Sequence, residues 1–416
     1  MKRIAIVGGG VAGIVAAHVL SRRHQVTLFE ANDYLGGHTH TVGVAVAGEK
    51  YAIDTGFIVY NDRTYPLFEK FLAQLGVDGL PTEMSFAVSN RRSGLEYNGN
   101  SLATLFAQKR NLLNPRFYRF LLEILRFNKL CKASAAKGEG EGQTLGDFLA
   151  RHRFSDYFAE NYILAMGAAI WSTSLSGMRE FPLRFFLSFF NNHGLLNIAD
   201  RPQWYVVKGG SHSYVKAFLK SFPGQLRLAT PVKQIKRRAD GVSLELANGE
   251  QLEFDELVLA CHSDEALALL GDATPVEREL LGCLGYAVND VVLHTDTRLL
   301  PTRRKAWASW NYNLNGDHQA PATVTYNMNI LQRLEAPVTF CVTLNANDQI
   351  DPTKILGRYR YSHPQFSVAG FNAQQRWTEI SGVNHTHFCG AYWFNGFHED
   401  GVRSAVRVVE QLGEQL

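Results

Sequence analysis

The stretch "RIAIVGGGVAGIVAAHVL", Arg3 to Leu20, decides the fold. The apolar run Ile4 to Val7 predicts a buried strand, the glycines a tight turn, and the apolar residues after them a helix. Gly8, Gly10 and Gly13 stand at the spacing G-x-G-x-x-G. Gly8 permits the turn, Gly10 leaves the backbone open to a diphosphate, and Gly13 lets the helix lie close to the strand. Val11 and Ala12 open that helix, where free N–H groups and the dipole attract anions. A second run, "QVTLFEA", ends at Glu30 and Ala31. A carboxylate there accepts hydrogen bonds from ribose hydroxyls and repels a 2′-phosphate. Strand, turn, helix, strand and acid in this order predict an α/β chain with a Rossmann-like nucleotide domain.

The chain has 416 residues, 46% of them hydrophobic and 19% charged, which is enough material for more than one core. A net charge of +3 argues against a global polyanion partner, so nucleic acid is not expected. The five cysteines, Cys131, Cys261, Cys283, Cys341 and Cys389, are scattered and form no CxxC pair. They suit a reducing cytoplasm better than a disulfide framework or a zinc site. The basic and apolar opening reads as strand and turn rather than as a leader, because no small-residue cleavage site follows it. No run of about 18 apolar residues predicts a membrane span. The expected location is the cytoplasm, with the inner face of the cell membrane as a second station.

After Glu30 comes "LGGHTHT", with Gly36, Gly37, His38 and Thr39. Here the chain resembles the flavin-containing amine oxidase superfamily, which includes protoporphyrinogen oxidases and phytoene-type desaturases. In that family an acid at the strand end is followed by two glycines and usually an arginine, on a segment crossing the FAD diphosphate. His38 stands where the arginine would be, and a histidine donates there with a weaker, pH-dependent charge. The resemblance continues through "YAIDTGFIVYNDRTYPLFEKFLAQLGV", which implies that Gly56, Phe57 and Ile58 pass the flavin ring. Asp54 and Gly56 match, and Phe57 replaces a usual second glycine. "VVKGGSHSYVKAFL" resembles the turn that returns the chain to the FAD domain, and Val232 matches the residue whose backbone touches the adenine. "HFCGAYWFNGFHEDGVRSAVRVVEQL" resembles the closing strand, loop and helix. Gly390 fits a phosphate-contacting glycine, Ala391 stands where an acid is usual, and Gly401 and Val402 fall where the last helix should face the flavin. The resemblance implies FAD, bound non-covalently, since no motif aims Cys389 or His398 at the ring methyl. It implies a GR2-type, amine-oxidase-like FAD-binding domain from residues 1–65, 200–275 and 381–416, with an inserted α+β substrate domain from 66–199 and 276–380.

The departures bear on chemistry. Amine oxidases of the family commonly hold a lysine near flavin N5. The counterpart stretch "GYAVNDVVLHTD" offers Asn289 instead, and Lys305 reads as an exposed loop charge. An aromatic pair usual around the substrate nitrogen leaves Phe397, with Trp393 or Tyr392 less securely. Flavin oxidations need position, dryness and sometimes a base from the protein. The candidates for catalytic roles are therefore His398, Asn289 and Phe397. His38 with His40, and His385 with His387, form two "HTH" pairs; a metal site from all four is conceivable, but structural strand patterns explain the second pair better, and no metal is expected.

"FPLRFFLSFFNNHGLL", Phe181 to Leu196, reads either as plain core or as a wall of an apolar tunnel. Few charges cluster in either insertion, which favours a hydrophobic small-molecule or lipid substrate. The motifs "GGHTHTV", "DTGFIVYN" and "GFHEDG" together resemble a bacterial group of FAD proteins encoded beside cyclopropane-fatty-acyl-phospholipid-synthase-like methyltransferases, which implies an acyl chain. An FAD-dependent oxidoreductase transferring a hydride to flavin N5, and dehydrogenating or desaturating such a chain, is the first expectation. An amine oxidase and a non-catalytic flavoprotein partner of a lipid-modifying methyltransferase are the alternatives. Lys109 to Lys132 reads as a cationic amphipathic helix, suited either to an anionic membrane surface or to ordinary packing with a solvated basic face.

Overall fold

The computed structural model describes residues 1–197 and 200–416; the domain boundary expected at Ala199 lies outside the described residues. Strand Arg3–Val7 runs through the middle of a five-stranded parallel sheet, in the order Gln225–Arg227, Gln25–Phe29, Arg3–Val7, Glu256–Leu259, Thr386–Phe388. A strand covered on both faces needs no polar alternation, and Ile4, Ala5 and Ile6 are fully buried. Gly8 has φ +109°, and a Cβ on it would lie 2.8 Å from the Ala260 carbonyl. A Cβ on Gly13 would lie 1.9 Å from the oxygen of Gly8. These two positions let helix Val11–Leu20 sit directly on the strand, as the spacing predicts. An antiparallel sheet of Val232–Arg238, Gly241–Leu246 and Gln251–Phe254 completes the nucleotide-binding part.

The insertions build a seven-stranded sheet, in the order Ile355–Pro364, Tyr286–His294, Cys341–Leu344, Val324–Asn327, Trp310–Leu314, Phe86–Asn90, Leu95–Asn98. Helices Pro115–Ala136, Leu164–Trp171 and Leu183–Asn192 pack with it in a second core. Packing draws the division between the cores differently from the chain segments. Phe68 and Phe71 of helix Pro66–Leu75, Leu280 and Leu281 of helix Pro275–Gly282, and Trp377 all join the nucleotide-side core. Val44 and Ile53, from the hairpin Thr41–Val46 and Glu49–Asp54, join the other. The apolar face of each element, and not its place in the chain, decides which core it enters.

Candidate active site

A cavity of about 880 Å³ lies between the two cores, near the upper end of the usual range for ligand pockets, ~300–1,000 Å³. Its nucleotide-side wall holds Gly8, Gly10, Val11, Ala12, Glu30, Ala31, Gly36, Gly37, His38, Val232 and Gly390. A Cβ on Gly10 would meet nothing within 4 Å, and Gly10 caps its helix without a side-chain hydrogen bond. Backbone N–H groups at this helix start are therefore open to an anion. Glu30 is fixed from both sides: Oε2 accepts from Gly9 N at 2.8 Å, and Oε1 accepts from Asn32 N and Asn32 Nδ2 at 2.9 Å each.

The segments "GGHTHT" and "DTGF" cross each other here. Phe57 N donates to His38 O at 2.7 Å, and Thr55 N donates to His40 O at 2.9 Å. A Cβ on Gly56 would lie 2.2 Å from His38 O, so the approach requires glycine. Asp54 ties the crossing to the rest of the fold. Its carboxylate accepts from Ser211 N and Oγ, from Thr41 Oγ1 and from Gln332 Nε2. Burial raises Asp54 to about 6.

His38 sits among rings, its centroid 5.3 Å from Tyr361, 5.4 Å from His363 and 6.1 Å from His262. Burial, with His363 and His262 adding to it, pushes His38 down to about 3, and burial likewise pushes His363 to about 4. His38 is thus neutral near pH 7, and its buried Nε2 has no hydrogen-bond partner among the described residues. Three imidazoles gather where the sequence shows one, and the missing arginine is replaced by a group without a standing charge. Tyr359, Tyr361 and His363 alternate along strand Ile355–Pro364, a period-two signal that could have exposed their shared face. Asn289 does not line the cavity; its Nδ2 donates to His363 Nδ1 at 3.0 Å, which leaves the ring proton on Nε2. Asn289 thus fixes the His363 ring and does not itself face the cavity.

His398 and Phe397 line the cavity. His398 Nε2 lies 3.0 Å from both Tyr214 Oη and Thr39 Oγ1, and burial holds the imidazole well below its usual range. Thr39 itself is fully buried behind the wall. Gly401 and Val402 also lie behind it, because Gly401 is the crossing point of helix His398–Gln411 on the first helix: a Cβ would meet Val11 Cγ1 at 2.6 Å. The start of this last helix is occupied by its own acids. Asp400 accepts from Phe397 N at 2.9 Å, and Glu399 accepts from Leu67 N and Phe68 N, capping helix Pro66–Leu75. Burial raises both to about 7.

The substrate-side wall holds Met84, Ile170, Trp171, Phe189, Leu195, Trp204, Trp310, Tyr326, Phe366 and Phe397. Five phenylalanines of 181–190 are in the core, of which Phe189 lines the cavity, stacked on Phe397 with centroids 5.0 Å apart. The plain-core and tunnel-wall readings of that stretch each describe part of it. His193, missed in the sequence, lines the same wall. Its Nδ1 lies 3.1 Å from Phe189 O, so Nδ1 carries the proton and Nε2 the lone pair. Burial pushes it down to about 4. Three charged residues line the cavity: Glu30 and Glu265 on the nucleotide side, and Arg360 on strand Ile355–Pro364 of the seven-stranded sheet, whose exposed guanidinium lies 3.6 Å from Asp290.

The remaining candidates lie elsewhere. Lys305 is exposed, and Trp393 is buried outside the lining, whereas Tyr392 lines the cavity. His385 and His387 pair with Glu256 at 3.7 and 3.3 Å. Cys389 is buried outside the lining and Cys261 lies within it; burial raises both thiols, so neither supplies a thiolate.

The sequence profile described as "Flavin containing amine oxidoreductase" matches residues 11–325. The chain belongs to that family, and its cofactor is FAD. An L-amino-acid oxidase of Siganus canaliculatus is 25% identical over 284 residues, covering 64% of this chain and 49% of that protein. The chain spans about half the length of the curated L-amino-acid oxidases it matches. Two solved structures share the fold: cyclohexylamine oxidase from Brevibacterium oxydans IH-35A (16% identity, 99% of both chains, TM-score 0.69) and the CLA-producing fatty acid isomerase from P. acnes (18% identity, 98% of both chains, TM-score 0.69). The residues of the cavity fit the cofactor. The uncapped helix start, the glycine backbone and the unpartnered His38 Nε2 suit a diphosphate, and Glu30 suits a ribose.

Proposed function

We propose that the protein is an FAD-dependent oxidoreductase that dehydrogenates or desaturates a hydrophobic substrate, a modified fatty acyl chain or its phospholipid. The observation that carries this reading is the substrate-side wall. Its aromatic and aliphatic side chains offer a long chain contact, and the charged residue that the seven-stranded sheet adds to the described lining, Arg360, turns its guanidinium to Asp290 and solvent. FAD bound in the cavity supplies a two-electron acceptor. The protein holds the chain against it, excludes water with Phe189, Phe397 and Trp171, and presents the lone pair of His193 Nε2 as a proton acceptor. Amine oxidation stands second, because Lys305 is exposed, while of the two aromatic partners for Phe397 Tyr392 lines the cavity and Trp393 does not. The test is anaerobic mixing of the flavin-loaded protein with extracted bacterial phospholipids and, separately, with an amine panel. Bleaching of the flavin band by acyl lipid supports the proposal. Bleaching by amines alone overturns it, and no bleaching by either favours the non-catalytic flavoprotein.

A further inference from the structure

The surface formed by residues 102–136 differs from the rest of the molecule. Leu113 is 90% exposed, Leu102 77% and Leu122 66%, with Leu112, Tyr118 and Leu125 also exposed. Leu112 and Leu113 project from a short 3-10 turn, Lys109–Leu113, Leu102 opens the short helix Leu102–Leu105, and Tyr118, Leu122 and Leu125 lie on helix Pro115–Ala136. Asn114 caps that helix through the Arg116 N–H, with Pro115 in its first turn, so the turn and the helix meet at a fixed corner. Phe117, Phe120 and Phe127 face the core, and the opposite face carries Tyr118, Leu122, Leu125 and Lys129 at three- and four-residue spacing.

The charge on this surface is of one sign. Lys109, Arg110, Arg116, Arg119, Arg126, Lys129 and Lys132 are all exposed, and the one carboxylate of residues 102–136, Glu123, is buried on Ser155. Among the described residues none of these seven cations pairs with a carboxylate. Arg116 lies over the Tyr157 ring at 4.1 Å and Arg126 over the Phe154 ring at 4.4 Å, which fixes both guanidinium groups at the flank of the helix. Exposed aliphatic side chains standing among cations fit a surface that is negative above and apolar beneath. A second copy of the chain does not fit, since a two-fold interface would set this cationic patch against itself.

We propose that this corner docks on an anionic phospholipid bilayer, with Leu112, Leu113 and Leu122 entering the headgroup region and the seven cations meeting lipid phosphates. The docking surface is distinct from the cavity and does not depend on which substrate the cavity takes. Cosedimentation of the flavin-loaded protein with phosphatidylglycerol-containing and pure phosphatidylcholine vesicles tests it, at low and high salt. Two variants change only exposed groups: Arg119→Glu/Lys129→Glu/Lys132→Glu, whose side chains make no hydrogen bond or ion pair among the described residues, and Leu113→Asp/Leu122→Asp. Each cation near an anionic surface contributes roughly fivefold to partitioning, so the loss of three, with three repelled carboxylates added, should weaken binding by at least about 100-fold. The leucine variant should weaken binding at least about tenfold while flavin content and melting temperature stay unchanged. Salt-insensitive recovery in the supernatant with both vesicle types overturns the proposal. So does vesicle binding that survives both variants, and so does a wild-type dimer in sedimentation velocity that the leucine variant turns into a monomer.

Discussion

Phe57 lies flat against His398, with ring centroids 3.5 Å apart and planes 8° from parallel. Phe57 stands where the family usually has a second glycine, and His398 opens the last helix, so two residues far apart in sequence meet as one contact. His398 cannot turn away, because Tyr214 and Thr39 share its Nε2. Replacing Phe57 by glycine should remove the stack and its burial, about 2–3 kcal/mol of stability in all. The change should also alter the visible spectrum of the bound flavin. A melting curve and a spectrum check both, and an unchanged pair would show that the stack is incidental.

Glu30→Ala should lower flavin content strongly. The change removes the ribose acceptor and also releases Gly9 N and Asn32, which shape the first turn. Each lost charge-assisted bond is worth roughly 1.5–3 kcal/mol. The ratio of flavin to protein absorbance after purification measures it, and full occupancy would misplace the strand end.

His38→Arg places a permanent charge beside His262 and His363. Without flavin this should destabilise the fold, because a buried unpaired cation is expensive. With flavin the diphosphate pairs the arginine, and the rate of FAD release should fall. The stabilisation on adding FAD, read as a melting-temperature shift, should therefore be larger in the variant than in wild type. An equal shift would mean that residue 38 does not reach the diphosphate.

His193 has its folded-state value lowered to about 4, against about 6.5 unfolded. The unfolded chain then binds more protons between these limits, so the neutral histidine stabilises the fold fully above about pH 6.5, and that contribution is lost as pH falls toward 4. Its full extent is roughly 3 kcal/mol. Asp54, Glu399 and Asp400, raised to about 6, 7 and 7, act with the opposite sign in an overlapping window. The informative quantity is therefore the difference between wild type and His193→Gln. Wild type should lose its advantage on acidification from pH 6.5 to 4, and if His193 accepts the substrate proton the variant should also lose substrate-driven flavin reduction while keeping its flavin. A pH-independent difference in melting temperature would show that His193 is not held neutral by burial.

The nucleotide half was legible because its requirements are local. A strand, a turn that only glycine can make, a helix start and an acid lie within residues 3–31, and each is fixed by backbone geometry over a few residues. "GGHTHT" and "DTGF" were legible as segments, but their crossing, with Gly56 against His38 O, is set by packing. The wall facing them could not be read in the same way. His193, His262, Tyr361 and His363 come from three separate stretches and converge only when the seven-stranded sheet closes on the first domain. Gly401 shows the same limit: its close approach to Val11 is a crossing of two helices far apart in the chain, which the sequence does not display. Local backbone preferences act over a turn or a strand and are written in the sequence. Burial, which neutralises His38 and sorts each apolar face into one core or the other, is a property of the whole packed chain and appears only in the tertiary structure.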